Sequence, residues 1–407
     1  MSYPCVLLGD YIDILSGFAF KSKNFSADGI PVIKIKNIVP PYVTLEDLSY
    51  VPNEIAESNQ KYLLAYNDVL IALTGSHINQ MASVVGRIAR VKYSTPSLLN
   101  QRVGKITVRN ENLCNLDYIY YFLSQDHIKI ALASKAGGAA NQANISPSDI
   151  KQLSIPLPSI QTQRRIADIL SAYDDLIENN RKQIKLLEEA AQRLYKEWFV
   201  DLRFPGHEHT KIVDGVPEGW SMGILDDIVK ETGESTKKEN KQEYAYYLPI
   251  DCLPQKSIGY IDTNDIKLAK SSLVSFDKGD IIFGAMRPYF HKVVVARDKG
   301  ITRSTCFVLN SRSASMWGYV AMLLFNTVTV EYATQISVGT TMPYVRWKDM
   351  KLMPSLIPNK QIAISFDNLV KPMIEKVGLL ANQIRALAQA RDCLLPKLMS
   401  GEVEMQL

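Results

Sequence analysis

From Ile166 the apolar residues of this chain recur at alternating steps of four and three. They fall at Leu170, Tyr173 and Ile177, pass through the polar Asn180, and resume at Ile184, Leu187, Ala191, Leu194 and Trp198. That is a heptad seam, the mark of a helix that buries one narrow stripe against another helix. The seam recurs 200 residues later at Phe366, Val370, Met373, Val377, Leu380, Ile384, Leu387, Arg391, Leu394 and Leu398. Each run predicts a helix about 55–60 Å long at the helical rise. Neither is apolar enough all round to be a core helix, so each needs a partner, and the nearest is the other. Two such helices in one chain most simply pack antiparallel. Asn180 then either fixes their register at some cost in stability or marks a wet position in the seam. Pro396 predicts the end of the second helix, because proline lacks the donor and crowds the preceding turn. Leu398 would then belong to a packed tail.

The segments before each seam carry a different rhythm. Ile30-Pro31-Val32-Ile33-Lys34-Ile35-Lys36 alternates and predicts a strand with Lys34 and Lys36 on one face. Residues 69–73 predict a buried strand after the turn Asn67-Asp68. Val84-Val85 and residues 103–108 predict further strands, 116–132 has helical spacing, and 135–142 is a glycine-containing loop. The second half repeats this order. Residues 220–228 match the opening, 279–283 the buried strand, 293–295 and 306–309 the later strands, 319–332 the helix and 337–341 the loop.

The two halves can be written one above the other. At an offset of 200, residues 149–200 and 349–400 align without a gap, with Asp149 on Asp349, Lys151 on Lys351, Pro158 on Pro358 and Gln161 on Gln361. Upstream the offset drifts from about 217 to 200, so the globular parts differ by insertions. A repeat this long is no solenoid unit; it is a duplicated domain followed by a duplicated helix. The expected fold is α+β. Two globular domains stand in tandem, each followed by a long α-helix, and the helices pair as an antiparallel coiled coil with pseudo-two-fold symmetry. Expected boundaries are 1–157 for the first domain and 158–204 for its helix. A linker at 205–218 contains Pro205-Gly206 and leads into Pro217-Glu218-Gly219. The second domain covers 219–356, and its helix and tail 357–407.

Composition narrows the function classes. A hydrophobic share of 46% with 22% charged residues supports real cores. The net charge of +4 is compatible with a nucleic-acid partner and far from demanding one. Five cysteines, Cys5, Cys114, Cys252, Cys306 and Cys393, are scattered and form no C-x-x-C, which argues against a zinc ribbon or a disulfide framework and for a reducing cytosol. Met1-Ser2-Tyr3-Pro4 does not read as a secretory signal, and the longest apolar stretch, 316–325, is too short to span a bilayer. A cytoplasmic protein away from membranes is expected. No G-x-G follows a predicted strand, no phosphate loop and no G-x-S-x-G elbow occurs, and the methyltransferase tetrapeptide Asn-Pro-Pro-aromatic is missing. His207-Glu208-His209 lies in the linker without a third ligand and reads as a solvated loop. Nothing in the sequence gives a basis for catalysis, a cofactor or a metal in this chain.

Binding chemistry is better represented. Met286-Arg287-Pro288-Tyr289 follows a buried strand, with Lys292 close by and Arg303 before the next strand. An arginine held by a following proline beside an aromatic suits a rigid contact to a guanine edge or a phosphate, against the simpler reading of a solvated turn. Asn100-Gln101-Arg102 places three hydrogen-bonding side chains before a strand, again either a DNA contact or a polar turn. The glycine loops bring Asn141, Gln142 and Asn144 in the first half, and Thr340, Thr341, Tyr344 and Arg346 in the second. Lys34 and Lys36 complete the DNA-contact candidates, although a solvated strand face explains them as well.

Domain, heptad helix, domain, heptad helix is a specific order. The first helix is introduced by Ile155-Pro156-Leu157-Pro158-Ser159-Ile160-Gln161 and closes with Trp198-Phe199-Val200-Asp201. The second closes with Leu394-Leu395-Pro396-Lys397-Leu398-Met399-Ser400-Gly401-Glu402. With Met286-Arg287-Pro288-Tyr289 and Asn100-Gln101-Arg102, the whole chain resembles the specificity subunit of type I restriction-modification enzymes. The second helix is introduced by a shortened segment, Ile357-Pro358-Asn359-Lys360-Gln361, and the first domain lacks the opening that Gly219-Trp220 gives the second. The resemblance implies two target-recognition domains, each reading half of a bipartite site in double-stranded DNA. It implies helices that set their spacing and dock two copies of a methyltransferase subunit. S-adenosylmethionine, Mg and ATP would belong to those and to the restriction/translocase subunits. Two other readings remain at this stage: a coiled-coil adaptor without DNA specificity, and a diverged stand-alone modification enzyme.

Overall fold

The computed structural model describes residues 3–137, 142–236, 243–270 and 272–403. The two seams lie on two long helices, Ile160–Tyr195 of 36 residues and Lys360–Ser400 of 41. By contacts the chain divides into two units, Met1–Tyr173 with Ala390–Leu407, and Asp174–Gln389. The division cuts both helices, so each unit holds one globular domain and one segment of each helix.

In the first unit a six-stranded sheet runs in the order Ile12–Ser16, Val103–Val108, Val69–Ala72, Ile88–Arg90, Tyr42–Val43, Ile38–Val39. Its central strand Val69–Ala72 is buried on both faces, which is why it reads as a continuous apolar run rather than an alternation. Tyr118, Ile119 and Phe122 of the helix Leu116–Ser124 cover one face. The same core takes in Ile166 and Leu170 from the first long helix and Leu395, Leu398 and Met399 from the second.

The second unit repeats the frame with Val229–Glu231, Cys306–Ser311, Ile281–Gly284 and Val293–Val295 in one sheet. Its helix segments run antiparallel. Phe366 meets Phe199 at 4.8 Å and Trp198 at 5.6 Å between ring centroids, while Gln383 accepts a 3.3 Å hydrogen bond from Asn180. From Asn180 to Trp198 is 18 residues forward, and from Gln383 to Phe366 is 17 back. Asn180 is buried in the seam and bonded across it, the arrangement of a register-fixing polar residue. Ile177, Ile184, Val370, Val377, Leu380 and Ile384 are buried beside it, with Leu187, Leu194, Met373 and Leu387 partly covered. Tyr173 and Leu394 are half-buried in the first unit.

Several local expectations are corrected. The alternating run 30–36 is a strand only over Ile30–Ile33. Asn37 then turns the chain, its Oδ1 accepting from Lys34 N at 3.0 Å, and such a side-chain acceptor competes with a ladder. Lys34 and Lys36 therefore share no strand face. Val84-Val85 is buried but not a strand; strand structure begins at Ile88, after Gly86 takes a positive φ of 82°. The helices expected over 116–132 and 319–332 are each broken, at Gln125 and at Asn326, where ψ is 139° and 143°. The apolar spacing continues across the break, so periodicity alone hides it. Pro396 does not end the second helix, which passes through it and through Pro372. Each proline costs about 3 kcal/mol in a helix interior. Burial of Ile374 and Val377 after one, and of Leu398 and Met399 after the other, offsets that cost. Leu398 is thus a helical core residue. The linker carries a short hairpin, Ile212–Val213 with Val216–Pro217.

A second contact ties the first long helix to the domain of the second unit. Glu188 is half-buried and accepts from Ser257 Oγ at 2.7 Å, Ile258 N at 2.8 Å and Gly259 N at 3.3 Å. Burial raises its pKa above the ordinary 4.5, against these hydrogen bonds, each of which lowers it. An acid with a raised folded-state pKa holds its proton more tightly when folded. Its contribution to stability is therefore fullest below 4.5 and is lost as pH rises through the folded value. Glu188→Gln is expected to remove that slope from the stability–pH profile, while Glu188→Ala orphans the donors and costs about 1–3 kcal/mol. Denaturant melts between pH 4 and 8 check both; a glutamine variant with the parent's slope would refute the assignment.

Candidate nucleic-acid interface

In both units three loops meet beside the end of the central strand, and the same backbone hydrogen bonds hold them. Leu73 N donates to Arg102 O and Ala285 N to Thr305 O, both at 2.9 Å. Ile145 N donates to Leu73 O and Val345 N to Ala285 O, both at 3.0 Å. Gly137 and Asn144 exchange a pair of bonds, as do Val338 and Tyr344. These bonds make Leu73 equivalent to Ala285, Thr74 to Met286, Gly75 to Arg287, Arg102 to Thr305 and Asn144 to Tyr344. The matching offsets, 212 for the first loop, 203 for the second and 200 for the third, are the drift seen in the sequence.

The frame is constant and its side chains are not. In the first unit Arg102 is exposed. Its Nη1 donates to Thr74 Oγ1 at 3.3 Å and Asn144 Oδ1 at 3.1 Å, and Thr74 Oγ1 donates to Asn144 Oδ1 at 2.7 Å. Gln101 and Gln142 are exposed on either side. Asn141 lies outside the described residues. In the second unit Arg287 takes a left-handed conformation, φ 50° and ψ 59°, just before Pro288. Its backbone N donates to Pro343 O at 2.7 Å and its Nη2 to Thr341 O at 3.2 Å. Tyr289 is half-exposed on the same turn, its ring tilted at 54° to that of Phe290 with the centroids 4.7 Å apart. Thr340 and Arg303 are exposed nearby in sequence to this frame, and Tyr344 OH reaches Ser304 O at 3.4 Å.

Other candidates are tied up within the protein. Lys34 Nζ donates to Ser49 Oγ at 2.8 Å and sits 4.0 Å from the Phe25 ring centroid; burial lowers its pKa first, then the Lys36 charge. Lys36 pairs with Asp47. Lys292 Nζ donates to Ile250 O at 2.7 Å, and Arg346 pairs with Asp349 at 2.7 Å. Thr74 escaped the sequence reading. The shifted offset would have found it, since 212 residues separate it from Met286 in the conspicuous Arg-Pro-Tyr turn.

Acid–base pairs brace the frame away from these loops. Asp13 holds Arg109 at 3.0 Å and Lys151 at 2.8 Å, and Asp226 holds Arg312 at 2.8 Å and Lys351 at 3.1 Å. The Arg109 hydrogen bond, then that of Lys151, lowers the Asp13 pKa to about 2. Among the described residues no cluster of three or more His, Cys, Asp or Glu side chains could hold a metal ion. No described helix is long and apolar enough to cross a membrane.

Residues 5–189 match the sequence family described as the type I restriction modification DNA specificity domain. The chain is 29% identical over 306 residues to the specificity subunit of type I restriction enzyme MjaIX from Methanocaldococcus jannaschii, covering 71% of this chain and 69% of that one. It is 22% identical over 366 residues to the HindI specificity subunit of Haemophilus influenzae, covering 72% and 79%. To the EcoAI specificity subunit of Escherichia coli it is 27% identical over 192 residues, which span 30% of that protein. In fold it is similar to the crystal structure of a type I restriction-modification S subunit from M. genitalium. The TM-score is 0.64 at 16% identity, over 99% of this chain and 97% of the other.

Proposed function

We propose that this chain, which belongs to the specificity-subunit family of type I restriction-modification systems, recognises DNA through its two globular domains and has no catalytic role of its own. Each domain would read one half of a bipartite site in double-stranded DNA with the three-loop frame described above. One observation carries this reading. The backbone frame is kept in duplicate, bond for bond, while the side chains mounted on it differ between the two copies. A structural adaptor has no need to vary those side chains. A reader of two different half-sites does, because base identity is read by side chains at groove edges while the backbone only positions them.

The duplicated helices and strand pairs form the other, constant part. Two equivalent surfaces suit two copies of one partner, here the modification subunit, with a restriction/translocase subunit joining the same assembly. S-adenosylmethionine, Mg and ATP would be bound by those partners in the cytoplasm.

Exchange of residues 8–157 for those of a relative with a different specificity tests the reading. With modification subunits present, the methylated motif in host DNA is expected to change in one half and stay the same in the other. Change in both halves, or in neither, would count against it.

A further inference from the structure

We propose that the two arginines do different work: Arg102 reads a guanine edge, and Arg287 clamps a phosphate. This rests on the DNA-reading role proposed above and divides it between two side chains.

The division follows from which edge of each guanidinium is free. A guanidinium offers hydrogen-bond donors in a rigid fork that fits two acceptors side by side. Arg102 is braced only through Nη1, by two neutral acceptors, Thr74 Oγ1 and Asn144 Oδ1. Its Nε and Nη2 have no partner among the described residues, so its side-on fork is open. Guanine presents O6 and N7 in the major groove at the spacing such a fork takes. Arg287 is held in the opposite sense. Its Nη2 donates to Thr341 O, and its Nε is buried without a partner. The side-on fork is closed, and a charge on a rigid turn remains. That suits a phosphate oxygen, which needs no paired donors. Neither arginine has a carboxylate within ion-pair distance among the described residues, so each keeps its charge for an anionic ligand.

The structure also explains why the first unit carries no arginine at the position of Arg287 and has one on the neighbouring loop instead. At Gly75, the equivalent of Arg287, an added Cβ would lie 2.6 Å from both Ser83 O and Val85 N. No side chain fits there, because the turn Ile78–Ser83 returns over it. The first unit therefore places its arginine on the neighbouring loop, at 102, where the second unit has Thr305. Thr74 and Asn144 are positioning residues, since they act through Arg102.

The test uses the full chain assembled with its modification subunits, a randomised duplex library around the methylated motif, and binding measured from 50 to 200 mM salt. Arg102→Lys keeps the charge and removes the fork. It is expected to retain affinity within a few-fold and to lose about tenfold in preference for guanine at one position of one half-site. Arg102→Ala loses the same preference. Thr74→Val is expected to weaken it at that same position and Thr74→Ser to restore it, which a merely structural role would not produce. Arg287→Ala is expected to weaken binding alike for all sequences and to lower the salt slope by about 1, leaving the motif unchanged. Arg287→Lys should bind nearly as the parent does. The division is overturned if Arg102→Lys behaves like the parent, or if Arg287→Ala relaxes a base instead. If the parent complex itself shows no sequence preference, the DNA-reading role falls, and this division with it.

Discussion

Phe366→Ala is expected to destabilise the second unit by about 3–5 kcal/mol, the range for emptying a buried phenylalanine site that cannot collapse. Phe366 is fully buried and lies within ring-contact distance of Tyr195, Trp198 and Phe199. Phe199 also meets Tyr319 of the domain at 4.6 Å and Trp220 at 5.7 Å. Truncation therefore loosens the helix pair and its seating on the domain together. The neighbouring Leu369 is 47% exposed on the outer face of the same helix, and Leu369→Ala is expected to change stability by no more than about 0.5 kcal/mol. Calorimetry of both variants decides the matter. A shift for Phe366→Ala as small as that for Leu369→Ala would show that the aromatic cluster does not hold this pairing.

Excising one heptad from each helix at facing positions, residues 176–182 and 382–388, is expected to alter the unread spacer of the recognised site and leave the bases on either side untouched. The two segments hold Asn180 and Gln383, which bond each other, and take Ile177 and Ile384 out of the seam together. Each deletion removes about 10 Å of helix, close to the rise of three base pairs. Excision from one helix alone keeps the a/d phase of the seam, but it leaves the two helices mismatched by one heptad and one of Asn180 and Gln383 without its partner, and it is expected to destabilise the pair. Sequencing of methylated host DNA measures the spacer. An unchanged spacer in the double deletion would reject the helices as its ruler.

The two long helices, the duplication and the order of elements in each half were legible in the chain. The heptad steps and the gapless match at an offset of 200 both follow from a helix that must meet a partner along one stripe. The broken helices at Gln125 and Asn326 were not legible, since their apolar spacing runs through the break and only backbone angles reveal it. Pro396 misled for the opposite reason. Its local cost is real, and burial of Leu398 and Met399 beyond it outweighs that cost. Of the candidate contacts, Arg102, Asn144 and Arg287 were visible as polar residues near strand ends. That Lys34, Lys36, Lys292 and Arg346 are engaged by Ser49, Asp47, Ile250 and Asp349 depends on partners 3 to 42 residues away in sequence.

By itself the sequence determined a duplicated α+β chain with two amphipathic helices, because periodicity and repetition are properties of residue order alone. Only tertiary structure decided that Arg102, Thr74 and Asn144 form one cluster, and that Gly75 leaves no room for the arginine its counterpart carries. Those facts come from three loops closing on one strand end, where hydrogen bonds between residues up to 72 apart set which donors are spent and which stay free.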